Sequence, residues 1–335
     1  MRSVGGSEIR RNVLVDGNNL LHRAYYVFVE NRLKEGKPIL CSPSGFPTGI
    51  AYGFLSMLSS WLYDIQSPTS VSVFFDGTPA RRLAMDPGYK AGRDAHGIKM
   101  SPSDDMPLMT LRDGRTVRGE MDLLSHIIRM LGFDVYHDPR EEADDLIASF
   151  VHSRPGEVHI IVSSDKDFFQ LVDDRVVLYR PGHDGFFDAE RVGDHMEKLY
   201  KVRVLPSQIR MFKSLTGDSS DSIPGVPRIR KKLAAALCSH PDVSSLYASG
   251  LPGLSKAERE ATVSLRDRVA LNFDLVGLDS SLDVEACRRP GSEDVSAAKD
   301  LCREDLGMKS IDFSGFKIGP RSATPVPVES WLLDI

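Results

Sequence analysis

The sequence predicts an α/β fold, a mostly parallel central sheet flanked by helices, followed by a smaller helical unit. Three observations carry that expectation. Short runs of β-branched and aromatic residues at 13–16, 71–76 and 160–165 are bounded by turn residues, as the buried strands of a parallel sheet are. Helical periodicity fills the intervals between them. Each run also closes on an aspartate, Asp16, Asp76 and Asp165, and in open α/β sheets the ligand sits outside the carboxyl ends of the strands.

Taken in order, the first strand leads into a helical stretch over 18–26 and a Gly- and Pro-rich loop over 34–48. A longer helix runs from about 48 to 63, and the second strand follows. Residues 81–120 do not look like core. They interleave eight glycines and prolines with eight basic residues, among them Arg81, Arg82, Lys90 and Arg93. With few large apolar side chains to bury, this segment reads as a mobile basic excursion above the sheet edge. An amphipathic helix over 121–131, a strand over 133–137 and a strand over 175–179 complete the alternation.

From about 206 the character turns helical. Pro206 opens one helix, 217–230 is a turn-rich loop, and 231–237 is a second helix. This is the outline of a helix–loop–helix that grips a nucleic-acid backbone. The expected organisation is a tail over 1–12, an α/β domain over 13–204 that includes the excursion at 81–120, a helical subdomain over 205–290, and a C-terminal extension over 291–335. The last part, from 315, reads as poorly ordered apart from its apolar end at 331–335.

Composition narrows the class. The chain has 335 residues, 41% hydrophobic and 27% charged, ordinary values for a soluble protein. It has no apolar stretch of membrane-spanning length, and its polar start lacks the apolar core of a signal peptide. Cys41, Cys238, Cys287 and Cys302 are far apart with no Cys-x-x-Cys pair. That argues against a zinc site or a disulfide framework and for a reducing cytoplasm. The nine histidines show no ligand spacing.

Acids gather where the strands end. Glu142, Asp144 and Asp145 open a helical run, Asp167 doubles the third strand end, and Asp218 and Asp221 lie three apart. One such aspartate alone would be a turn former or a helix cap. Nine carboxylates in five clusters, delivered to one sheet edge, would repel one another unless a divalent cation lay among them, and hard oxygen ligands suit Mg²⁺ or Mn²⁺. The net charge of −5 then does not exclude nucleic acid: 47 acids less these nine leaves 38, against 42 Lys and Arg, so the remaining surface can be locally basic.

At this point the chain resembles a known family, the 5′ nucleases that include flap endonucleases and the amino-terminal 5′→3′ exonuclease domain of bacterial DNA polymerase I. The matching stretches are 14–25, Leu-Val-Asp-Gly-Asn-Asn-Leu-Leu-His-Arg-Ala-Tyr, then 47–49, 75–77, Tyr-Lys-Ala-Gly-Arg at 89–93, Glu-Ala-Asp-Asp at 142–145, Ser-Asp-Lys-Asp at 164–167, and Gly-Asp-Ser-Ser-Asp-Ser-Ile-Pro-Gly-Val at 217–226. They stand in family order and together are highly specific. With no polymerase following, the chain looks most like the stand-alone 5′ nucleases of bacteriophages.

The resemblance implies a PIN-like nuclease fold with a helical arch and a helix–three-turn–helix subdomain. It implies that Asp16, Asp76, Glu142, Asp144, Asp145, Asp165, Asp167, Asp218 and Asp221 form a cluster for two or more Mg²⁺ ions, with Mn²⁺ able to substitute. Asp145, Asp165 and Asp167 are expected nearest the ions, and Asp218 and Asp221, one helical turn apart, as outer ligands. Tyr89, Lys90 and Arg93 are implied at the base of the arch. Lys90 and Arg93 would share a helix face and stabilise the transition state. Arg23 and Tyr25 are implied near the scissile nucleotide, although Tyr25 could equally be core.

Where the family usually carries Gly-x-Gly, whose carbonyls can bind a monovalent cation such as K⁺, this chain has Arg228 and Arg230. Loss of the glycines counts against the cation. With Lys231 and Lys232, the arginines supply side-chain charge for duplex phosphates instead.

The expected function is a divalent-metal-dependent, structure-specific 5′ nuclease. It would act by a two-metal mechanism as a 5′→3′ exonuclease and flap endonuclease on flap, nicked or junction DNA and on RNA–DNA primer ends, in replication or repair. Products would carry 5′-phosphate and 3′-hydroxyl. The expected protein is a cytoplasmic monomer, with no membrane partner and with a replication protein able to dock on the end at 331–335. The alternatives are a PIN-type ribonuclease and a DNA-binding accessory protein that has lost catalysis.

Overall fold

The computed structural model describes residues 10–65, 68–91, 99–101, 108–110, 118–182, 185–227 and 229–318. Its strands, in chain order, are β1 (Arg11–Asp16), β2 (Ser70–Phe75), β3 (Lys99–Ser101), β4 (Leu108–Thr110), β5 (Asp134–His137), β6 (Val158–Val162), β7 (Val176–Arg180), β8 (Gly185–Phe187), β9 (Gly217–Asp218), β10 (Ile223–Pro224) and β11 (Arg288–Arg289). The main sheet has the order β11-β5-β2-β1-β6-β7-β8. From β5 to β7 every neighbour pair is parallel; β11 and β8 close the edges antiparallel.

Both faces of this sheet are covered, which is why its strands read as continuous apolar runs rather than alternating ones. Along β1, Val13 and Val15 enter one core while Leu14 enters the other. The first core lies under the helices Gly17–Tyr25, Gly49–Ile65 and Arg118–Met130. The second lies under Ala143–Ser153 and Ala189–Tyr200 and continues into the helical subdomain around Ile209–Thr216 and Lys231–Leu237. At its centre Phe74 stacks on Tyr136 at 4.7 Å and meets Phe150 edge-on at 5.7 Å. Burying one such ring contributes about 1.5–3 kcal/mol. Register sets the functional edge: Asp16 is level with Phe74, and Asp76 and Asp165 lie just beyond the ends of β2 and β6.

Two parts differ from the sequence reading. Residues 80–91 are not part of a solvated excursion. Ala80–Met85 is a helix, Arg82 is 2% exposed and Tyr89 is 4% exposed. Leu83, Met85 and Tyr89 suffice as core because they pack on Ile223, Leu275 and Val276 from the helical subdomain. Of the implied arch, β3 pairs antiparallel with β4; Arg93 lies outside the described residues. The C-terminal extension also packs: Ala298, Cys302, Met308, Ile311 and Phe316 belong to the first core. The apolar end at 331–335 lies outside the described residues. Cys41, Cys238, Cys287 and Cys302 are free thiols. Among the described residues, no helix is long and apolar enough to cross a membrane.

Candidate metal centre

Three strand ends are stitched together by short polar side chains. Asp16 caps the Gly17–Tyr25 helix, its Oδ1 accepting from the Asn19 N–H at 3.0 Å, while its Oδ2 accepts from the Ser163 hydroxyl at 2.7 Å. Asn18 Oδ1 accepts the Asp76 N–H at 3.0 Å, and Asp76 Oδ1 accepts the Ala143 N–H at 2.8 Å. Asn19 Oδ1 takes the Ser164 hydroxyl at 2.9 Å. Asp16 is thus a helix cap and part of an acidic cluster at once. Burial, then the neighbouring Asp76, pushes its carboxyl up to about 7.

Glu142, Asp144 and Asp145 form one group, with carboxylate oxygens within 4.8 Å of one another. They occupy the N-cap and first turn of the Ala143–Ser153 helix, where the helix dipole favours negative charge. The opposing charge comes from Arg82 and Lys90. Arg82 Nη1 donates to Glu142 Oε2 and to Asp145 Oδ2, both at 2.5 Å, and its Nη2 to Asp145 Oδ1 at 2.8 Å. Lys90 Nζ donates to Glu142 Oε1. Burial resists the Glu142 charge, but Lys90 and Arg82 outweigh it and hold this carboxyl below its usual range. Burial and the Glu142 charge push Asp144 well up. Burial also raises Asp145, against the pull of Arg82.

Asp167, Asp218 and Asp221 form the second group, again within 4.8 Å. Lys213, from the Ile209–Thr216 helix, bridges Asp167 and Asp218 and lies 2.6 Å from Asp218 Oδ2. Burial pushes Asp167 up to about 6 despite that lysine. Asp218 is half-buried, and Lys213 and Ser220 outweigh that burial and hold it at about 2. The two groups adjoin. Tyr89 Oη donates toward Asp221 at 3.3 Å and Glu142 at 3.5 Å, and the Lys90 N–H donates to the Asp221 carbonyl at 2.9 Å.

Several expectations change in detail. Asp218 and Asp221 sit on the hairpin joining β9 and β10, not on a helix. Gly217 permits that hairpin: its φ is +78°, and a Cβ there would lie 2.4 Å from the Gly225 nitrogen. Lys90 has φ +56° and lies in a turn rather than on a helix; its expected partner Arg93 lies outside the described residues. Tyr25 is 4% exposed and belongs to the first core, the alternative the sequence left open; a buried ring cannot stack on a base. Arg23 donates to the Pro181 carbonyl at 2.8 Å and lies over Trp61.

At the start of the Lys231–Leu237 helix, Arg230 pairs with Glu258 at 3.0 Å, Lys231 lies 4.2 Å over Tyr200, and Lys232 is exposed. Arg228 is outside the described residues. Sequence reasoning missed Arg82 and Lys213. Arg82 stands beside Arg81 in a generally basic segment and Lys213 has no adjacent basic residue on its helix, and only the need to neutralise so many acids could have prompted a search for them.

A cleft of about 690 Å³ runs from Asp165, Asp167 and Asp218 past Lys213 to Tyr200 and Lys231. The donor set fits divalent ions. All its donors are carboxylate oxygens, the choice of hard cations. Asp16 and Asp144, half-buried, are driven upward by desolvation and by neighbouring acids, a balance that a divalent ion among them would reverse.

Comparison with known proteins identifies the family and the fold. The family described as "5′-3′ exonuclease, N-terminal resolvase-like domain" matches residues 11–197. The 5′-3′ exonuclease of Aquifex aeolicus is 28% identical over 308 residues, 91% of this chain and 89% of that protein. DNA polymerase I of Mycobacterium bovis is 31% identical over 226 residues, 67% of this chain; the chain spans only 22% of that polymerase. Among solved structures, the bacteriophage T5 flap endonuclease in a pseudo-enzyme-product complex with DNA and metal ions superposes with a TM-score of 0.59 at 18% identity, covering 88% of this chain and 100% of that one. The T5 5′-exonuclease with bound zinc gives 0.58 at 20% identity, covering 88% and 99%.

Proposed function

This chain belongs to the 5′–3′ exonuclease family, and from that premise we propose that it is a structure-specific 5′ nuclease dependent on divalent metal, Mg²⁺ with Mn²⁺ as substitute. It cuts phosphodiester bonds in DNA flaps, nicks and junctions and at primer ends, leaving 5′-phosphate and 3′-hydroxyl, in replication or repair. The single observation that carries the reading is the juxtaposition of two acidic groups, each within 4.8 Å internally, at the carboxyl edge of a parallel sheet with Tyr89 and Lys90 between them.

In this reading Glu142, Asp144, Asp165, Asp167, Asp218 and Asp221 hold the ions directly or through water, with Asp16 and Asp76 behind them. When bound, such ions would acidify a water and neutralise charge on the transferring phosphoryl group. The protein's own part is orientation and charge. Lys90, part-buried at the group boundary, moves from Glu142 to a phosphate oxygen, where a cation is worth most as charge develops. Lys231, exposed at the cleft, and its exposed neighbour Lys232 take duplex phosphates without reading sequence. The polymerase I relatives support a replication setting, and four free thiols suit a reducing compartment.

The test is cleavage of a 5′-labelled flap DNA with and without Mg²⁺, beside the Asp165→Asn, Asp167→Asn variant. Mg²⁺-dependent cutting near the junction, lost to background in the folded variant, is expected. Binding without cleavage by wild type in Mg²⁺ or Mn²⁺ would make the chain an accessory protein; cutting of RNA alone would make it a ribonuclease.

A further inference from the structure

Arg82 is the most heavily used side chain of the site, and no motif accounts for it. It is 2% exposed, and all five guanidinium N–H donors are spent. Nη1 serves Glu142 and Asp145, Nη2 serves Asp145 and the Gly277 carbonyl at 3.0 Å, and Nε serves the Leu275 carbonyl at 2.9 Å. Leu275 and Gly277 lie at the C-terminal end of the Arg266–Val276 helix, whose last carbonyls have no partner within the helix and carry partial negative charge. Gln170 takes the Val276 carbonyl at 3.1 Å and Arg210 the Phe273 carbonyl at 2.8 Å, so this helix end is fixed from several sides.

Asp145 is nearly filled. Both oxygens accept from Arg82, and Oδ1 also accepts the Asp279 N–H at 2.7 Å. That leaves Oδ1 no lone pair for an ion and Oδ2 a single one, beside the guanidinium and 3.8 Å from Arg81 Nη2. Asp144, by contrast, is 23% exposed at its side chain and stands 3.9 Å from Arg82.

We propose that Arg82 is a positioning residue for the metal centre. Its planar fork, which never loses its charge, is fixed to the end of the Arg266–Val276 helix and holds Glu142 and Asp145 in place. Asp145 then serves the centre through Arg82 rather than as a ligand. This inference rests on the metal-dependent nuclease reading. It locates the determinant of ligand geometry outside the acids themselves, in a cation shared with the helical subdomain.

The deciding measurement is Mn²⁺ affinity by calorimetry on full-length Arg82→Lys, Asp145→Asn and the double variant, with the Mg²⁺ concentration for half-maximal cleavage alongside. Arg82→Lys keeps the charge and loses the fork; each single variant is expected to weaken metal binding about 10–100-fold, as loss of a ligand-orienting partner does. The double variant should lose no more than the worse single one, since the pair acts as a unit. DNA affinity in Ca²⁺ should move far less than turnover. Folded Arg82→Lys with wild-type Mn²⁺ affinity overturns the proposal, and so does a double variant whose loss is the product of the two single losses, which would make Asp145 an independent ligand. Should Arg82→Lys fail to fold, Arg82→Gln with Asp145→Asn replaces the ion pair by neutral amides. Wild-type Mn²⁺ affinity there overturns the proposal, and weakened affinity with retained fold supports it. A wild type that cleaves nothing in Mg²⁺ or Mn²⁺ would remove the nuclease reading itself; a wild type that cleaves, with variants matching its metal curve, removes only the role of Arg82.

Discussion

The two acidic groups are alike in size and differ in what opposes them. Glu142, Asp144 and Asp145 face a buried guanidinium with all five donors engaged, and Lys90 adds a second cation at Glu142. Asp167 and Asp218 face one ammonium, Lys213, 14% exposed, on a flexible four-carbon stem. A planar fork fixed at five points is a permanent fixture, whereas a point charge on a stem can leave when a stronger cation arrives. The first group is built around its counter-ion; the second borrows one.

That contrast can be broken in three ways. The largest effect is expected at the boundary between the groups. Lys90→Ala should lower kcat about 10²–10³-fold, the scale of a lost charge-stabilising donor, and leave DNA affinity in Ca²⁺ nearly unchanged. Equal losses in both would reduce Lys90 to a binding residue.

Next comes Lys213→Met. Removing one partner from a buried ion pair costs about 3–5 kcal/mol, so urea unfolding in EDTA should show a loss near the lower end, given the residual exposure of this lysine. Added Mg²⁺ should recover most of it. A deficit that Mg²⁺ leaves untouched would mean that the lysine does not stand where an ion stands.

The smallest effect is in pH. Asp16, raised to about 7, and Asp167, raised to about 6, resist ionisation in the fold. The native protein therefore holds more protons than the unfolded chain between the ordinary carboxylate pKa and these values. Stability from these two groups falls as pH rises through that window. Asp218, held at about 2, works in the opposite sense and only below it, contributing stability that is lost as pH falls toward 2. Divalent ions take only the ionised carboxylates, so the Tm increase on adding Mn²⁺ should be larger at pH 8 than at pH 5.5. An equal increase at both would place the ions away from Asp16 and Asp167.

The parallel sheet and the places of its acids were legible because three of its strands, β1, β2 and β6, are continuous apolar runs leading to Asp16, Asp76 and Asp165. What escaped were features that only tertiary contact creates. Arg82 and Tyr89 read as part of a mobile basic excursion because the segment carries few large apolar residues of its own; Leu275 and Ile223 supply the missing surface. Asp218 and Asp221 read as a helical pair because a spacing of three fits a helix, yet Gly217 at φ +78° turns the chain into a hairpin. Tyr25 falls on the inner face of its helix, which spacing alone left open. Lys213 sits on an amphipathic helix like any surface lysine, and only the fold brings it to Asp167.

The route of the C-terminal stretch has a consequence for how this protein comes into being. β11, at Arg288–Arg289, completes the sheet edge beside β5, and Ala298 through Phe316 seal the first core, with Gly315 so close that a Cβ would lie 2.1 Å from the Ser59 carbonyl. A core that receives Val13 from β1 is therefore closed by residues made roughly three hundred positions later. On the ribosome its first helices must wait, with apolar faces uncovered, until residues 298–316 have been synthesised. Such long-range closure makes folding slow and leaves incomplete chains prone to aggregate.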